Sequence, residues 1–221
     1  MSDESPERAL VLAYAPGDRR AALAALLALD DALALLLRTT REPALGQMRL
    51  AWWREALARL DTEPAPAEPV LQGIAQALLP LGVTGASLVP IVHGWEVLIE
   101  EEALDADALA RFGAGRGALF VAGGRALGAT PGDPVEDAGR GWALADLARN
   151  LRGAEEAGEA RAQAGRLLDE ALRQRWSARG RALGALAHLA RMDLALAEDA
   201  PVPHGAPRRV ARLFWHRLTG R

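Results

Sequence analysis

The sequence predicts an all-α protein, and three observations lead to that expectation. Ala and Leu dominate its 221 residues, whereas Tyr, Ile and Phe, which favour strands, are scarce. Apolar residues recur at helical spacing, and no stretch alternates with a period of two over the length of a strand. Half of the residues are apolar and a quarter are charged, a composition that excludes disordered and fibrous proteins.

The helix boundaries are predicted from caps and helix breakers taken in chain order. Ser5 caps a short first helix with Pro6 at its first position, and Asp18 caps a long second helix that ends near Arg38. The later helices are expected at residues 44–60, 70–79, 87–102, 105–128, 135–152, 156–176, 178–198 and 206–219.

The acidic, Pro-rich stretch 61–69 is predicted to be a loop. It is not taken as a domain boundary, because the segment before it is too short to form a good core alone. We therefore expect a single domain over residues 1–221.

Composition and charge exclude several kinds of chemistry. The absence of Cys excludes disulfides, thiolate zinc sites, iron–sulfur clusters and cysteine nucleophiles. All 26 basic residues are Arg, so no lysine is available for a Schiff base or a P-loop. The net charge of −3 gives no general attraction to nucleic acid, which is not an expected partner.

Neither the start of the chain nor its longest uncharged run predicts insertion into a membrane. The acidic opening MSDESPERAL lacks the apolar core of a secretory signal. The uncharged run between Glu68 and Glu96 is long enough to cross a bilayer, but Pro and Gly residues interrupt it. It fits two buried helices joined by a turn better, and the expected location is cytoplasmic.

The second helix carries a carboxylate on a face that should be buried. Its apolar stripe is formed by Leu23, Leu26, Leu27, Leu33 and Leu37. Asp30 lies within this stripe, and Asp31 lies on the neighbouring Ala-rich face. Because burying an unpaired carboxylate is costly, we expect Asp30 to have a cationic partner, a metal ion or a raised pKa.

The third helix carries a cation in a corresponding position. Its apolar arc is predicted to consist of Leu45, Met48, Trp52, Trp53, Ala56 and Leu60. Arg49 lies inside this arc. Two interpretations follow: Arg49 pairs with Asp30 across adjacent helices, or both side chains line a polar pocket for an anionic ligand.

A third group of polar residues lies in the helix at 135–152. Asp146, Arg149 and Asn150 share a face, with Trp142 beside them. The spacing of Asp146 and Arg149 suits an ordinary surface ion pair. Asn150, the only asparagine in the chain, is either a ligand contact or part of a solvated face.

Other clusters of polar or small residues predict structure rather than chemistry. The four histidines are dispersed without metal-ligand spacing. Acidic clusters at 96–102, 133–137 and 155–159 are interpreted as solvated helix ends, and the glycines near residue 113 as allowing close helix packing.

The C-terminal segment 208–221 holds five Arg and no acidic residue. It is either a last core helix with an Arg-rich outer side or a contact with a membrane surface, where aromatic side chains lie at the headgroups and Arg meets anionic lipid. The residues that would make such a contact are Arg208, Arg209, Arg212, Phe214, Trp215 and Arg217.

Four segments, in order along the chain, resemble the squalene/phytoene synthase family. RTTREPALGQMRLAWWREAL, residues 38–57, is the most specific of them. RRAALAALLALDD (19–31) and GRGWALADLARNLRG (139–153) resemble the two substrate helices, and RFGAGRGALFVAGGRALG (111–128) resembles the Gly- and Ala-rich central helix. The resemblance implies an isoprenoid-synthase-like bundle of helices around a central cavity.

The resemblance also implies a site. Active members join two prenyl diphosphates, and aspartates on facing helices hold Mg²⁺ ions that grip the leaving group. The candidate residues of a ligand or diphosphate pocket are Asp30, Asp31, Arg49, Trp53, Asp146, Arg149, Asn150 and Arg152. If the protein is active, Asp30, Asp31 and Asp146 would hold Mg²⁺.

The sequence departs from the family pattern at both aspartate motifs. Ala34 and Leu35 stand where a second Asp is required, Arg149 replaces an Asn, and Gly153 replaces an Asp, whereas Arg152 is retained. Since cations replace metal ligands, the resemblance favours a non-catalytic binding or assembly factor, similar to the family's mitochondrial assembly factor for respiratory complex I.

The implied partners are a prenyl lipid or a respiratory complex, with a location that is cytoplasmic or peripheral to the inner membrane. The alternative is an Mg²⁺-dependent transferase of isoprenoid biosynthesis that condenses farnesyl or geranylgeranyl diphosphate.

Overall fold

The computed structural model describes residues 6–197 and 200–221, and within them it contains ten α-helices, three short 3₁₀ turns and no strand. The all-α prediction is therefore confirmed; the cap predicted at Ser5 lies outside the described residues. The helices are α1 (Pro6–Tyr14), α2 (Arg20–Thr39), α3 (Pro43–Arg59), α4 (Pro69–Ala77), α5 (Val89–Glu100), α6 (Ala106–Leu127), α7 (Val135–Asn150), α8 (Ala154–Arg173), α9 (Arg181–Leu194) and α10 (Pro207–Thr219).

Local side-chain chemistry explains the bounds of α6, whereas the cap predicted at Asp18 is wrong, because α2 begins at Arg20 and no side chain caps it. Asp105 caps α6 by accepting a hydrogen bond from the Ala108 N–H (2.8 Å), and Gly128 ends it with a positive φ of 75°.

Asp133 was expected to be solvated, and that expectation is wrong. It is buried, and the Ser177 N–H and hydroxyl both donate to it (2.6 Å each), which ties it to the turn between α8 and α9.

Glycine residues let the central helices α5, α6 and α7 approach closely. A Cβ on Gly94 would lie 2.3 Å from the backbone nitrogen of Arg116, and one on Gly139 would lie 2.4 Å from the carbonyl oxygen of Gly117. The prediction that glycines in this region serve close packing is confirmed, and the contact brings residue 116 to the interior between three helices.

Gly117→Ala should destabilise the protein by about 1–3 kcal/mol or more, because the added methyl group would meet the backbone of Arg140 at 2.7 Å. Gly165→Ala in α8 is the matched control. Nothing lies within 4 Å of its Cβ position, so this change should stabilise by about 0.5–1 kcal/mol. Urea unfolding of both variants measures the difference, and equal effects would contradict the close contact.

The uncharged run predicted to form two buried helices contains α4 and the first half of α5, which bury Leu71, Ile74, Ile91 and Val92. Within the described ranges no single helix has the length and hydropathy of a membrane-spanning segment. The segments Pro69–Leu81 and Ala86–Glu100 reach that threshold only together, and they are bent by 108°. Residues before them form the predicted loop, where Asp61 accepts hydrogen bonds from the Gly85 and Ala86 N–H groups.

The predicted inward face of α3 is wrong in part. Leu45, Met48 and Trp52 are exposed by 45, 68 and 46 %, whereas Leu50 and Leu57 are fully buried. The helix is apolar on two sides, so its periodicity could not decide which side meets the core.

Candidate functional site

A cavity of about 540 Å³ lies between α1, α2, α7 and α9 and the segment that leads into α10. Five of the eight predicted pocket residues line it: Asp30, Asp31, Asp146, Arg149 and Asn150. The other three, Arg49, Trp53 and Arg152, do not. The cavity is lined by charged side chains and by apolar ones, which include Leu27, Leu186 and Leu189.

The charged wall of the cavity is organised by Arg116 of α6, which is 4 % exposed. Its Nε and Nη2 atoms donate to the two carboxylate oxygens of Asp30, both at 2.8 Å. Its Nη1 atom donates to Asp146 Oδ2 at 2.5 Å. One guanidinium therefore links a carboxylate of α2 to a carboxylate of α7.

Two aromatic rings enclose this guanidinium. The Arg116 Cζ atom lies 4.5 Å from the ring centroids of both Trp95 and Trp142. The Trp95 indole N–H also donates to Asp30 Oδ1 at 3.2 Å. Burial alone would lower the pKa of Arg116, but Asp30 and Asp146 together raise it above its ordinary value, so Arg116 remains a cation.

The predicted pairing of Asp30 with Arg49 is wrong, as is the placement of Arg49 in the pocket. Arg49 is exposed and donates to the Thr40 hydroxyl at 2.8 Å. The need for a partner was predicted correctly, but the partner lies 86 residues away from Asp30. Arg116 was not predicted as the partner of Asp30. The sequence does carry a signal for it, since Arg116 interrupts the buried stripe of Phe112, Phe120 and Gly123 in α6.

Trp53 and Arg152 also lie away from the cavity. Trp53 is buried in α3, and its ring meets that of Trp52 edge to face at 5.3 Å. Arg152 is exposed just beyond the end of α7.

The other polar residues of α7 have structural partners. Arg149 donates to the backbone oxygens of Asp193 (3.3 Å) and Ala200 (2.7 Å), so it does not form the predicted surface pair with Asp146. Asn150 donates to the Asp146 carbonyl within its own helix (2.8 Å). Arg149, which replaces the Asn expected from the family resemblance, thus anchors the segment after α9.

A second ion cluster closes the other side of the cavity. Arg209 of α10 is 3 % exposed and donates to both oxygens of Glu7 (2.6 and 2.9 Å) and to Asp193 Oδ1 (2.5 Å). Burial would raise the pKa of Glu7, but hydrogen bonds from Arg209, Gly205 and His204 outweigh it and hold that pKa at about 2. Burial raises the pKa of Asp193 despite the same cation.

The Mg²⁺ site that the family resemblance implies does not fit the carboxylates present. Both oxygens of Asp30 accept hydrogen bonds from Arg116, and Asp31 is paired with Arg8 at 2.7 Å. In the part of the chain that the structure describes, no three Asp, Glu or His side chains converge in a way that could hold a metal ion. A hard divalent cation needs several free carboxylate oxygens, and here guanidinium groups engage them.

Among the acidic clusters, Glu96 also departs from expectation. It is buried rather than solvated, and Arg54 donates to its two carboxylate oxygens at 2.9 and 3.2 Å. This pair joins α3 to α5 outside the cavity.

Two histidines that looked unrelated in the sequence lie together behind the cavity. The rings of His188 and His216 are 4.7 Å apart, and Arg212 lies against His188 with a nitrogen–nitrogen distance of 3.0 Å. Burial, with the neighbouring cations, lowers the pKa of His188 to about 3 and that of His216 to about 4. Both rings are therefore neutral in the folded protein near neutral pH.

Acid should weaken the protein through this pair. The unfolded chain binds protons on both histidines below about pH 6.5, whereas the folded chain does not until about pH 4, so stability falls as the pH is lowered through this window. Between pH 6 and 4.5, His188→Gln should reduce the slope of unfolding free energy against pH by about 1.4 kcal/mol per unit. Denaturant titrations at several pH values measure it, and an unchanged slope would contradict neutral burial of His188.

Comparison with known proteins gives one match. The model of the family described as Squalene/phytoene synthase matches residues 1–118, which is more than half of the chain. The matched region contains Asp30, Asp31 and Arg116. No curated protein matches the chain, and no solved structure does.

Proposed function

This chain belongs to the squalene/phytoene synthase family, and we propose that within the family it is a non-catalytic member that acts as a binding or assembly factor. The observation that carries the proposal is Arg116, whose guanidinium lies between Asp30 of α2 and Asp146 of α7. These are the two helices that resemble the family's substrate helices.

Ionisation of an allylic diphosphate requires positive charge on the leaving oxygens. The single charge of Arg116 is already shared by two carboxylates, and its donors point at them. It therefore has little capacity to neutralise a departing diphosphate.

The charge balance of the cavity supports the same conclusion. In the part of the chain that the structure describes, its lining holds five carboxylates and four guanidinium groups. The carboxylates are Glu7, Asp30, Asp31, Asp146 and Asp193, and the guanidinium groups are those of Arg8, Arg116, Arg149 and Arg209. With one net negative charge, this wall does not attract a free diphosphate.

The apolar part of the lining indicates the class of ligand. Val11, Leu27, Leu186, Leu189 and Val202 line the cavity together with the charged side chains. A cavity that combines apolar side chains with carboxylates and guanidinium groups that largely pair with one another suits a prenyl chain that carries a small uncharged head. We therefore propose a prenyl lipid as ligand; an assembly role with a respiratory-complex partner would likewise require no turnover.

The catalytic alternative is tested by incubating the protein with Mg²⁺ and farnesyl or geranylgeranyl diphosphate. We expect pyrophosphate release no faster than in a blank without protein, and no thermal stabilisation by Mg²⁺. Turnover that Asp146→Asn abolishes would contradict the proposal, since Asp146 is half exposed and its replacement should leave the fold intact.

Ligand binding is tested with farnesol as the probe, by the shift of the thermal midpoint. Val202→Trp fills the cavity and should abolish the shift, whereas Val121→Trp on the exposed side of α6 should retain it. If farnesol produces no shift with the wild-type protein, or if both variants behave alike, the ligand proposal fails.

A further inference from the structure

The last helix of the bundle is amphipathic in the reverse of the usual sense. The residues that α10 buries are Arg209, Leu213 and His216, so its inner face is largely polar. Its outer face exposes Val210 by 38 %, Phe214 by 60 %, Trp215 by 56 % and Leu218 by 59 %. A helix on the surface of a soluble bundle normally presents its polar face to water.

The inward polar side chains are accounted for inside the protein. Arg209 binds Glu7 and Asp193, and His216 Nε2 lies 3.1 Å from the Arg181 carbonyl oxygen. Two of the six residues first considered for a membrane contact, Arg209 and Arg212, thus lie on the inner side. The outward apolar face is left without a partner in the described parts of the chain.

Arginines surround this apolar face. At 3.6 residues per turn, Phe214 and Leu218 lie along its middle, with Arg208 on one flank and Arg217 on the other. Arg208, Arg217 and Arg221 are exposed, and in the ranges that the structure describes none of them forms an ion pair.

The turn between α8 and α9 adds cations at the end of α10. The Trp176 N–H donates to the Gly220 carbonyl oxygen (2.8 Å), and Arg175 and Arg181 donate to the carbonyl oxygens of Thr219 (3.0 Å) and Arg217 (2.6 Å). The two segments that meet here, 174–181 and 207–221, hold eight Arg and no acidic residue. A chain with a net charge of −3 therefore concentrates positive charge around its most exposed aromatic side chains.

We propose that the outer face of α10, with the arginines of the adjoining turn, binds the surface of an anionic lipid bilayer. Phe214, Trp215 and Leu218 insert at the level of the headgroups, because Trp and Phe are favoured there. Arg208, Arg217 and Arg221 contact lipid phosphates, and the bundle rests on the membrane without crossing it.

Two other occupants of this face are disfavoured by the same features. A symmetric pair of chains joined through α10 would bring the two rims of arginine together, which is repulsive. A nucleic acid would satisfy the arginines and could stack on Phe214 and Trp215, but it would leave the aliphatic side chains of Val210 and Leu218 exposed, which the headgroup layer of a bilayer covers.

The test is co-sedimentation of the full chain with vesicles. We expect binding to phosphatidylcholine vesicles that contain phosphatidylglycerol, weaker binding to phosphatidylcholine alone, and a decrease as salt is raised. The variant Phe214→Ser/Trp215→Ser/Leu218→Ser should bind at least about tenfold more weakly. The matched control is Leu45→Ser/Met48→Ser/Trp52→Ser, which removes three exposed apolar side chains from α3 and should bind like the wild type.

Thermal unfolding of both triple variants checks that each is folded, which is expected because all six side chains are exposed. If the wild type does not sediment with anionic vesicles, the proposal is overturned. It is also overturned if the two triple variants lose binding equally, or if the protein retains single-stranded oligonucleotide but not vesicles.

Discussion

Replacing Arg116 by Met should lower the free energy of unfolding by about 3–5 kcal/mol, because it leaves the buried carboxylate of Asp30 without its cation. Trp95 alone would still donate to Asp30, and one neutral donor does not replace two charged ones. Urea unfolding at neutral pH measures the change. An unchanged slope of unfolding free energy against urea concentration would show that the folded state has the same compactness.

Arg49→Met is the matched control for this experiment. The same chemical change is made at the residue that the sequence assigned as the partner of Asp30, but Arg49 is exposed, and we expect an effect within about 0.5 kcal/mol. Equal losses in the two variants would contradict the assignment of Arg116 as the partner.

The double variant Asp30→Leu/Arg116→Met separates the cost of leaving a buried charge unpaired from the net contribution of the ion pair to the free energy of unfolding. Removing both groups should recover much of the loss, because the desolvated carboxylate is no longer present. Asp146 would lose its partner in this variant, but it is half exposed and can be solvated. If the double variant is as unstable as Arg116→Met, packing of the guanidinium between Trp95 and Trp142 is the larger contribution.

Arg209→Met should also destabilise by about 3–5 kcal/mol, because it leaves two neighbouring carboxylates, Glu7 and Asp193, without a common cation. The contact joins α1 to α10 across 202 residues, so its loss should release both ends of the chain from the bundle. Arg208→Met, one position away and exposed, is the control and should have little effect on unfolding.

The lowered pKa of Glu7 predicts how its contribution to the free energy of unfolding changes with pH. The pKa of Glu7 is about 2 in the folded protein and about 4.5 when unfolded, so its contribution is complete above pH 4.5 and is lost as the pH falls toward 2. The stability difference between wild type and Glu7→Gln should therefore shrink from pH 6 to pH 3. The pKa of Asp193 is raised, so its contribution to stability changes with pH in the opposite direction. Asp193 is present in both the wild type and Glu7→Gln.

The helices and the family could be predicted from local sequence. Asp105 and Gly128 bound α6 through hydrogen bonds and dihedral angles that involve only nearby residues. The most specific family segment, residues 38–57, lies within the matched region 1–118. It carried the correct family even though Arg49 within it was assigned the wrong partner.

The candidate site could be predicted only in part. Asp30, Asp31 and Asp146 were placed at the pocket because charges on helical faces stand out against apolar neighbours. Arg116 and Arg209 were missed as ion-pair centres, since their partners lie 86 and 202 residues away. The pairing of His188 with His216 was missed for the same reason.

For this protein the sequence by itself determined which segments are helical, that a buried carboxylate requires a cation, and that the last helix is rich in arginine. Only the tertiary structure decided which cation meets Asp30 and which face of α10 is turned outward. The physical reason is that hydrogen bonds within a helix connect residues a few positions apart, whereas ion pairing and burial depend on which faces of distant helices meet.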